Sequence, residues 1–242
     1  MDNDRKVWVF AEREQDGVAD VSLELISKAS QLAEGLGGAS VGAALLGDGL
    51  QDDIDALFAQ GCDEVYVAED AALTLYRTLP FTEVLSDMIA ENEPEIVLFG
   101  ATPTGRDLAP RVASKLQVGL TADCTDLQIG PHRDVVADKT YEKVLYQIRP
   151  AFGGNIIATI VSPETHPQMA TVRPGVMHRN PPQPGREGTL IRHEVGLSDE
   201  ALLFDVIEHI PAETTVDLTS ANIIVAGGAG VGSQENFQLI RE

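Results

Sequence analysis

A chain of 242 residues with 43% hydrophobic but only 5% aromatic residues must build its core from Ala, Val, Leu and Ile, the material of an α/β layer fold. Its formal net charge of −21, from 38 acidic against 17 basic residues, repels phosphate backbones and anionic membranes, which argues against nucleic-acid binding. No 18-residue apolar run or signal peptide is present, so the chain reads as soluble and cytoplasmic, without membrane insertion. Val7–Phe10 is a buried-strand signal, followed by Val21, Leu25, Ile26, Ala29, Leu32, Ala33 and Leu36 at helical steps. Gly35 and Gly37-Gly38 are expected to close that helix. Val41–Leu46 is a second strand. A short helix carrying Ile54, Leu57 and Phe58 ends at Gly61, and Val65–Val67 is a third strand. Phe81, Val84, Leu85, Met88 and Ile89 mark another helix, and Glu95–Gly100 a fourth strand. Such alternation predicts right-handed crossovers and a parallel sheet.

The rhythm changes after residue 118. Val144–Ile148, Asn155–Val161 and Met169–Val172 are β-rich with no helical stripe between them, and are expected to extend the sheet with antiparallel edge strands. Residues 174–187 hold four prolines and read as a linker or an exposed crossing. Thr189–Val195 and Leu202–Ile210 are predicted strands, and a new unit is expected to open at Asn222–Gly228. The sequence stops in a predicted helix, Glu235–Glu242, too soon to complete that unit, so a further domain is expected beyond it.

Cys62 and Cys124, the only cysteines, lie far apart in apolar surroundings and are expected to be buried thiols of a reducing compartment. Two thiolates cannot hold a [4Fe–4S] cluster alone, and the five histidines show no zinc spacing. No Ser–His–Asp or Cys–His set and no paired carboxylates stand out, so no catalytic residue is predicted.

Three stretches carry chemistry. Ile223–Ser233 reads as strand, glycine turn and helix, a form that lets backbone N–H groups approach a pyrophosphate. Gly228 and Gly230 fit the first two positions of GxGxxG while Ser233 takes the third, so a ligand-free βα turn fits equally well. In Ala101–Arg111, Thr104 and Asp107 are expected to form a capping box. There Arg106 opposes the helix dipole, which calls for an anionic contact: a nearby Asp or Glu, or a cofactor phosphate. Pro110 should kink the helix or free a carbonyl. The third stretch pairs Gly119–Cys124 with Arg149–Asn155, glycine-bordered loops suited to a ligand or to tight strand turns.

Taken in order, Val7–Glu12, Ala101–Arg111, Gly119–Cys124, Arg149–Asn155, Ala170–Gly175 and Ile223–Phe237 resemble the electron-transfer flavoprotein alpha subunit. The forms TPTGRDLAPR, GLTAD and RPAFGGN resemble the branch with electron-bifurcating and nitrogen-fixation-associated members. The resemblance implies an α/β fold: a Rossmann-like three-layer domain with a mostly parallel sheet plus antiparallel edge strands, then the start of a second α/β domain that binds FAD. Residues 1–187 would pack on the beta subunit, 188–220 would be a crossing segment, and 221–242 would begin the FAD domain. It implies FAD at Gly227, Gly228, Ala229, Gly230 and Ser233, and FAD or AMP in the beta subunit. Arg106, Thr121, Asp123, Arg149 and Asn155 would face that second nucleotide. The implied function is electron carriage between NADH or a flavin dehydrogenase and a partner, either an acyl-CoA dehydrogenase-like or other flavin dehydrogenase or ferredoxin. The family commonly has an arginine over the flavin where this chain has Ala229, which implies a lower or differently split flavin potential. Two other readings stand beside this one: a flavin-free interaction scaffold, and a Rossmann-type nicotinamide dehydrogenase starting near residue 222.

Overall fold

The computed structural model describes residues 5–14, 17–151, 156–208, 210, 221 and 223–241. By its contacts the chain divides into two units, Met1–Asp205 and Val206–Glu242.

In the first unit the elements run β1 (Lys6–Ala11), β2 (Arg13–Glu14), β3 (Gly17–Val18), α1 (Asp20–Leu36), β4 (Ser40–Gly47), α2 (Gln51–Gln60) and β5 (Glu64–Glu69). They continue with α3 (Thr78–Asn92), β6 (Ile96–Gly100), α4 (Pro103–Leu116), β7 (Leu120–Cys124), β8 (Asp126–Asp134), β9 (Lys139–Pro150), β10 (Ile157–Ile160), β11 (Gln168–Val172) and β12 (Thr189–Arg192). Seven strands form one sheet in the order β12-β5-β4-β1-β6-β11-β7, and every pairing in it is parallel.

Strand β1 shows why the sheet is central. Its residues are buried in an unbroken run, and alternate side chains go to opposite faces. Val7, Val9 and Ala11 join the core under α1 and α2; Trp8 and Phe10 join the core under α3 and α4. Each fully buried Leu, Ile or Val contributes about 1.5–3 kcal/mol, and both faces collect many of them. Trp8 packs tilted against Tyr66 at a ring-centroid distance of 4.2 Å, and Phe10 stacks on Phe99 at 5.6 Å.

The α/β class and its parallel sheet agree with the sequence reading, with one rearrangement. β7 and β11 enter the main sheet in parallel, and the antiparallel strands form a separate sheet, β10-β9-β8. This small sheet stands where a crossover helix would stand between β7 and β11. Its apolar residues Leu127, Ile129 and Leu145 pack onto the α1 side of the core. That packing also explains Gly35, which lies inside α1 rather than closing it: a Cβ there would come within 3.0 Å of Ile129 Cβ. The helix is closed instead by Gly37, in the left-handed region at φ 96°.

Residues 174–188 contain no regular element, in keeping with their prolines, and β12 then pairs in parallel with β5. Leu202–Ile210, read as a strand, forms none among its described residues: Leu203 is 67% and Phe204 71% exposed. A strand signal is realised only beside a partner strand, and here the described residues supply none. His209 lies outside the described residues, as do Asn222 and Glu242.

In the second unit Ile223–Gly228 is likewise without a ladder, and Ile223, Ile224 and Val225 are exposed. A 3₁₀ turn follows at Ala229–Val231 and another at Glu235–Phe237. The predicted C-terminal helix is reduced to that turn and α5 (Gln238–Arg241).

Candidate functional site

In a parallel sheet, ligands bind outside the carboxyl ends of the strands where the strand order reverses. Here the order reverses between β1 and β6, so the relevant residues are Glu12 and the loop Gly100–Thr104. The chain fills this position itself. The Thr102 hydroxyl donates to Glu12 Oε2 at 2.6 Å and accepts from the Gly105 amide at 3.0 Å, capping α4. Gly105 is buried there, in contact range of the Gly100 carbonyl. The remaining cleft, lined by Glu12, Arg13, Tyr76, Phe81 and Thr104, is about 70 Å³, whereas small-molecule sites span about 300–1,000 Å³. Glu12 is 8% exposed, and burial raises its carboxyl above the ordinary glutamate value against the lowering by the Thr102 and Thr104 hydroxyls.

The expected Thr104–Asp107 capping box does not form, because Thr102, two residues earlier, is the cap and Pro103 the first helical residue. Asp107 accepts instead from Tyr76 Oη at 2.7 Å and Thr78 Oγ1 at 2.5 Å, tying α4 to the start of α3. Helix α4 runs on through Pro110. Pro110 and Arg106 both lie on its exposed side, so the Arg106 carbonyl that loses its donor faces water.

Beside this closed crevice lies a cluster of arginines. Arg106 donates through Nε to the Ala101 carbonyl at 2.7 Å and through Nη2 to Asp123 Oδ1 at 3.1 Å, so its anionic contact within the chain is an aspartate. Arg173, directly after β11, grips the same carboxylate at 2.7 and 3.3 Å. Asp123 sits at φ 62°, and its amide donates to Thr171 Oγ1 at 2.9 Å. The side chain of Arg149, near the end of β9, has no ion pair or hydrogen bond among the described residues, yet its charge still helps hold Asp123 down. Arg173 is the largest cause of that lowering. Thr121 is 4% exposed within β7, and its carbonyl accepts from Cys124 Sγ. Asn155 lies outside the described residues. The structure therefore brings Arg106, Asp123 and Arg149 together and adds Arg173, which the sequence reading left out of the site. Its only signal was an arginine placed between a buried strand and Pro174-Gly175.

Asp107 and Asp123 both titrate below ordinary aspartate, the first chiefly through the Thr78 and Tyr76 hydroxyls, the second through Arg173. Stability from a lowered carboxyl is complete above its unfolded value and is lost as pH falls through the folded one. Asp123→Asn is therefore expected to flatten part of the drop in thermal midpoint between about pH 4 and pH 2. An unchanged acid limb would show that the ion pairs do not stabilise the fold.

Both cysteines are free and buried, as the sequence suggests. Burial pushes the Cys62 thiol far up and Cys124 up to about 11, so neither is a ready nucleophile.

In the second unit, Gly227 is pinned: a Cβ there would meet Ile240 Cδ1 at 2.3 Å and Phe237 Cε1 at 2.8 Å. Gly228 and Gly230 border open space. The 3₁₀ turn closes by Val231 N–H to the Gly228 carbonyl and Gly232 N–H to Ala229. That leaves the amides of Gly228, Ala229 and Gly230 without a partner among the described residues. Ser233 Oγ accepts from the Asn236 amide at 3.4 Å.

Comparison with known proteins decides what this arrangement belongs to. Residues 7–198 match the electron transfer flavoprotein domain. The chain belongs to the electron transfer flavoprotein family. It is 38% identical, over its whole length and 70% of the relative, to the electron transfer flavoprotein subunit alpha of Thermoanaerobacterium thermosaccharolyticum. To protein FixB of Clostridium saccharobutylicum it is 44% identical over 98% of its own length and 67% of the relative. To the acryloyl-CoA reductase electron transfer subunit beta of Anaerotignum propionicum it is 38% identical, over 94% of this chain and 66% of that protein. This family member thus spans about two thirds of the length of such relatives. Its matched region ends within the first unit, before the glycine turn. No helix among the described residues is long and apolar enough to cross a membrane.

Proposed function

We propose that this chain is the FAD-bearing, alpha-type subunit of a heterodimeric electron carrier located in the cytoplasm. The observation that carries the reading is the match over residues 7–198, supported by relatives named as alpha subunits or FixB proteins. In this reading residues 1–187 dock on a beta subunit, 188–220 form the crossing, and 221–242 begin the FAD domain. Gly227, Gly228, Ala229, Gly230 and Ser233 would lie against the FAD diphosphate. Free amides at Gly228–Gly230 and open space beside two glycines fit that role. Bound FAD would supply the redox chemistry; the chain's part is to hold it and to exclude side reactions. Arg106, Thr121, Asp123, Arg149 and Asn155 would face the beta subunit's nucleotide, FAD or AMP. A relative named for acryloyl-CoA reductase supports an acyl-CoA dehydrogenase-like or other flavin dehydrogenase as one redox partner. NADH and ferredoxin are the additional partners of a bifurcating complex.

The test is to co-produce the chain with its beta subunit and count flavins by absorption after denaturation. Two flavins per heterodimer support bifurcation, and one flavin with AMP supports simple carriage. A colourless complex would leave the chain a flavin-free scaffold and end this reading. In the flavin-loaded complex, Ala229→Arg is expected to raise the first one-electron potential by on the order of 100 mV, the effect of a unit charge a few ångströms away at protein-surface dielectric. An unmoved potential would show that Ala229 does not border the flavin.

A further inference from the structure

Of the other eight arginines of the first unit, all but Arg5 are matched with one acid each, among them Arg13 with Asp53, Arg179 with Asp20, Arg186 with Asp63 and Arg192 with Glu69. In a chain with 38 acidic and 17 basic residues this is the expected state. The group around Asp123 departs from it. Arg106 and Arg173 share that one carboxylate, Arg173 through Nε and Nη2 and Arg106 through Nη2 while its Nε takes the Ala101 carbonyl, and neither Nη1 has a partner among the described residues. Arg149 adds a third positive charge close enough to act on both Asp123 and Cys124, yet its side chain has no ion pair or hydrogen bond among the described residues. Two guanidinium groups thus hold one carboxylate with a third arginine's charge nearby, and Arg106 and Arg173 are 56% and 47% exposed. The cluster lies at the carboxyl ends of β6, β11 and β7, the side of a parallel sheet on which ligands bind.

We propose that Arg149, together with Arg106 and Arg173, binds a phosphate group. Guanidinium forks match phosphate oxygens in pairs, and unspent donors on three arginines supply such a match. An extended acidic partner segment fits less well, because along its length it would meet a chain of net charge −21. A phosphate engages charges only within a Debye length of about 8 Å. The phosphate could belong to a nucleotide cofactor or be free in solution. Only the nucleotide source rests on the function proposed above.

The test uses the full chain alone, titrated calorimetrically at low salt with sodium pyrophosphate, ADP and adenosine. Pyrophosphate is expected to bind saturably at one site and adenosine not to bind. ADP binding more tightly than pyrophosphate assigns the site to a nucleotide; ADP binding no more tightly assigns it to a free anion. Arg149→Gln is expected to weaken pyrophosphate binding by about 10-fold, the loss of one charge-assisted hydrogen bond. Its thermal midpoint should move by no more than about 2 °C, because the described residues give the Arg149 side chain no hydrogen bond or ion pair to lose, only its weak charge effect on Asp123. Arg186→Gln, which breaks an ion pair elsewhere, should bind as the wild type does. The proposal is overturned by non-saturable binding, by unchanged affinity in Arg149→Gln, or by equal weakening in Arg186→Gln. No flavin or second subunit takes part, so a negative result here leaves the flavin count unaffected, and a colourless complex leaves pyrophosphate binding unaffected.

Discussion

Replacing Gly105 with alanine is expected to lower the thermal midpoint by roughly 10 °C, from a loss of about 3 kcal/mol at 2–4 °C per kcal/mol. An ideal Cβ at Gly105 would stand 1.9 Å from the Gly100 carbonyl oxygen and 3.4 Å from Thr102 Oγ1. The obstacle is backbone, so no rotamer change relieves it. The first turn of α4 would have to move away from the end of β6, drawing Thr102 from Glu12 and Arg106 from Asp123. The cost therefore comes from sterics at a buried helix start and not from helix propensity, which favours alanine by about 1 kcal/mol. Gly196→Ala provides the comparison, since nothing lies within 4 Å of a Cβ there. It should stay within about 0.5 kcal/mol of wild type, as surface changes usually do. Equal midpoints for the two variants in a calorimetric or circular-dichroism melt would show that α4 does not start against the strand end as described.

Thr102→Val is expected to cost about 2 kcal/mol, from a lost helix cap and a buried acceptor deprived of its donor. One hydroxyl serves both, donating to Glu12 and accepting from Gly105, which valine's equal shape cannot replace. The cost should also depend on pH. Burial raises the Glu12 carboxyl, and the Thr102 hydroxyl counteracts that rise. For a raised acid, the stabilising contribution is complete below the unfolded value and is lost as pH climbs through the folded one. Without Thr102 the folded value rises further, so more stability is lost at high pH. The gap between variant and wild type should accordingly be smaller near about pH 4 than near about pH 8. Thr102→Ser should recover most of it. A gap that does not vary with pH would assign the whole cost to the cap and none to Glu12.

These two positions also mark where reading the sequence fell short. The segment TPTGRD offers two threonines, and Thr104 with Asp107 has the spacing of a capping box. Which threonine caps is decided by where β6 delivers the chain, and by Glu12, ninety residues away in sequence, waiting for a hydroxyl. Asp107 is likewise claimed by Tyr76 and Thr78 from another element. Arg106 was marked by its unfavourable place near a helix start, and the aspartate it required proved to be Asp123. Arg173 carried no such local mark and entered the cluster only because β11 lies between β6 and β7.

By itself the sequence determined the alternation of β1, α1, β4, α2, β5, α3 and β6, because apolar spacing is a local property of a strand or helix. It also determined the buried cysteines and, through its ordered motifs, the family. Only the tertiary structure decided that β7 and β11 run parallel in the main sheet while β8–β10 stand apart as a sheet of their own. It likewise decided that Leu202–Glu208 and Ile223–Gly228 remain outside any ladder. Strand partners, the Thr102–Glu12 contact that selects the cap, and shared carboxylates join segments distant in sequence, and no local spacing specifies which distant segment will arrive.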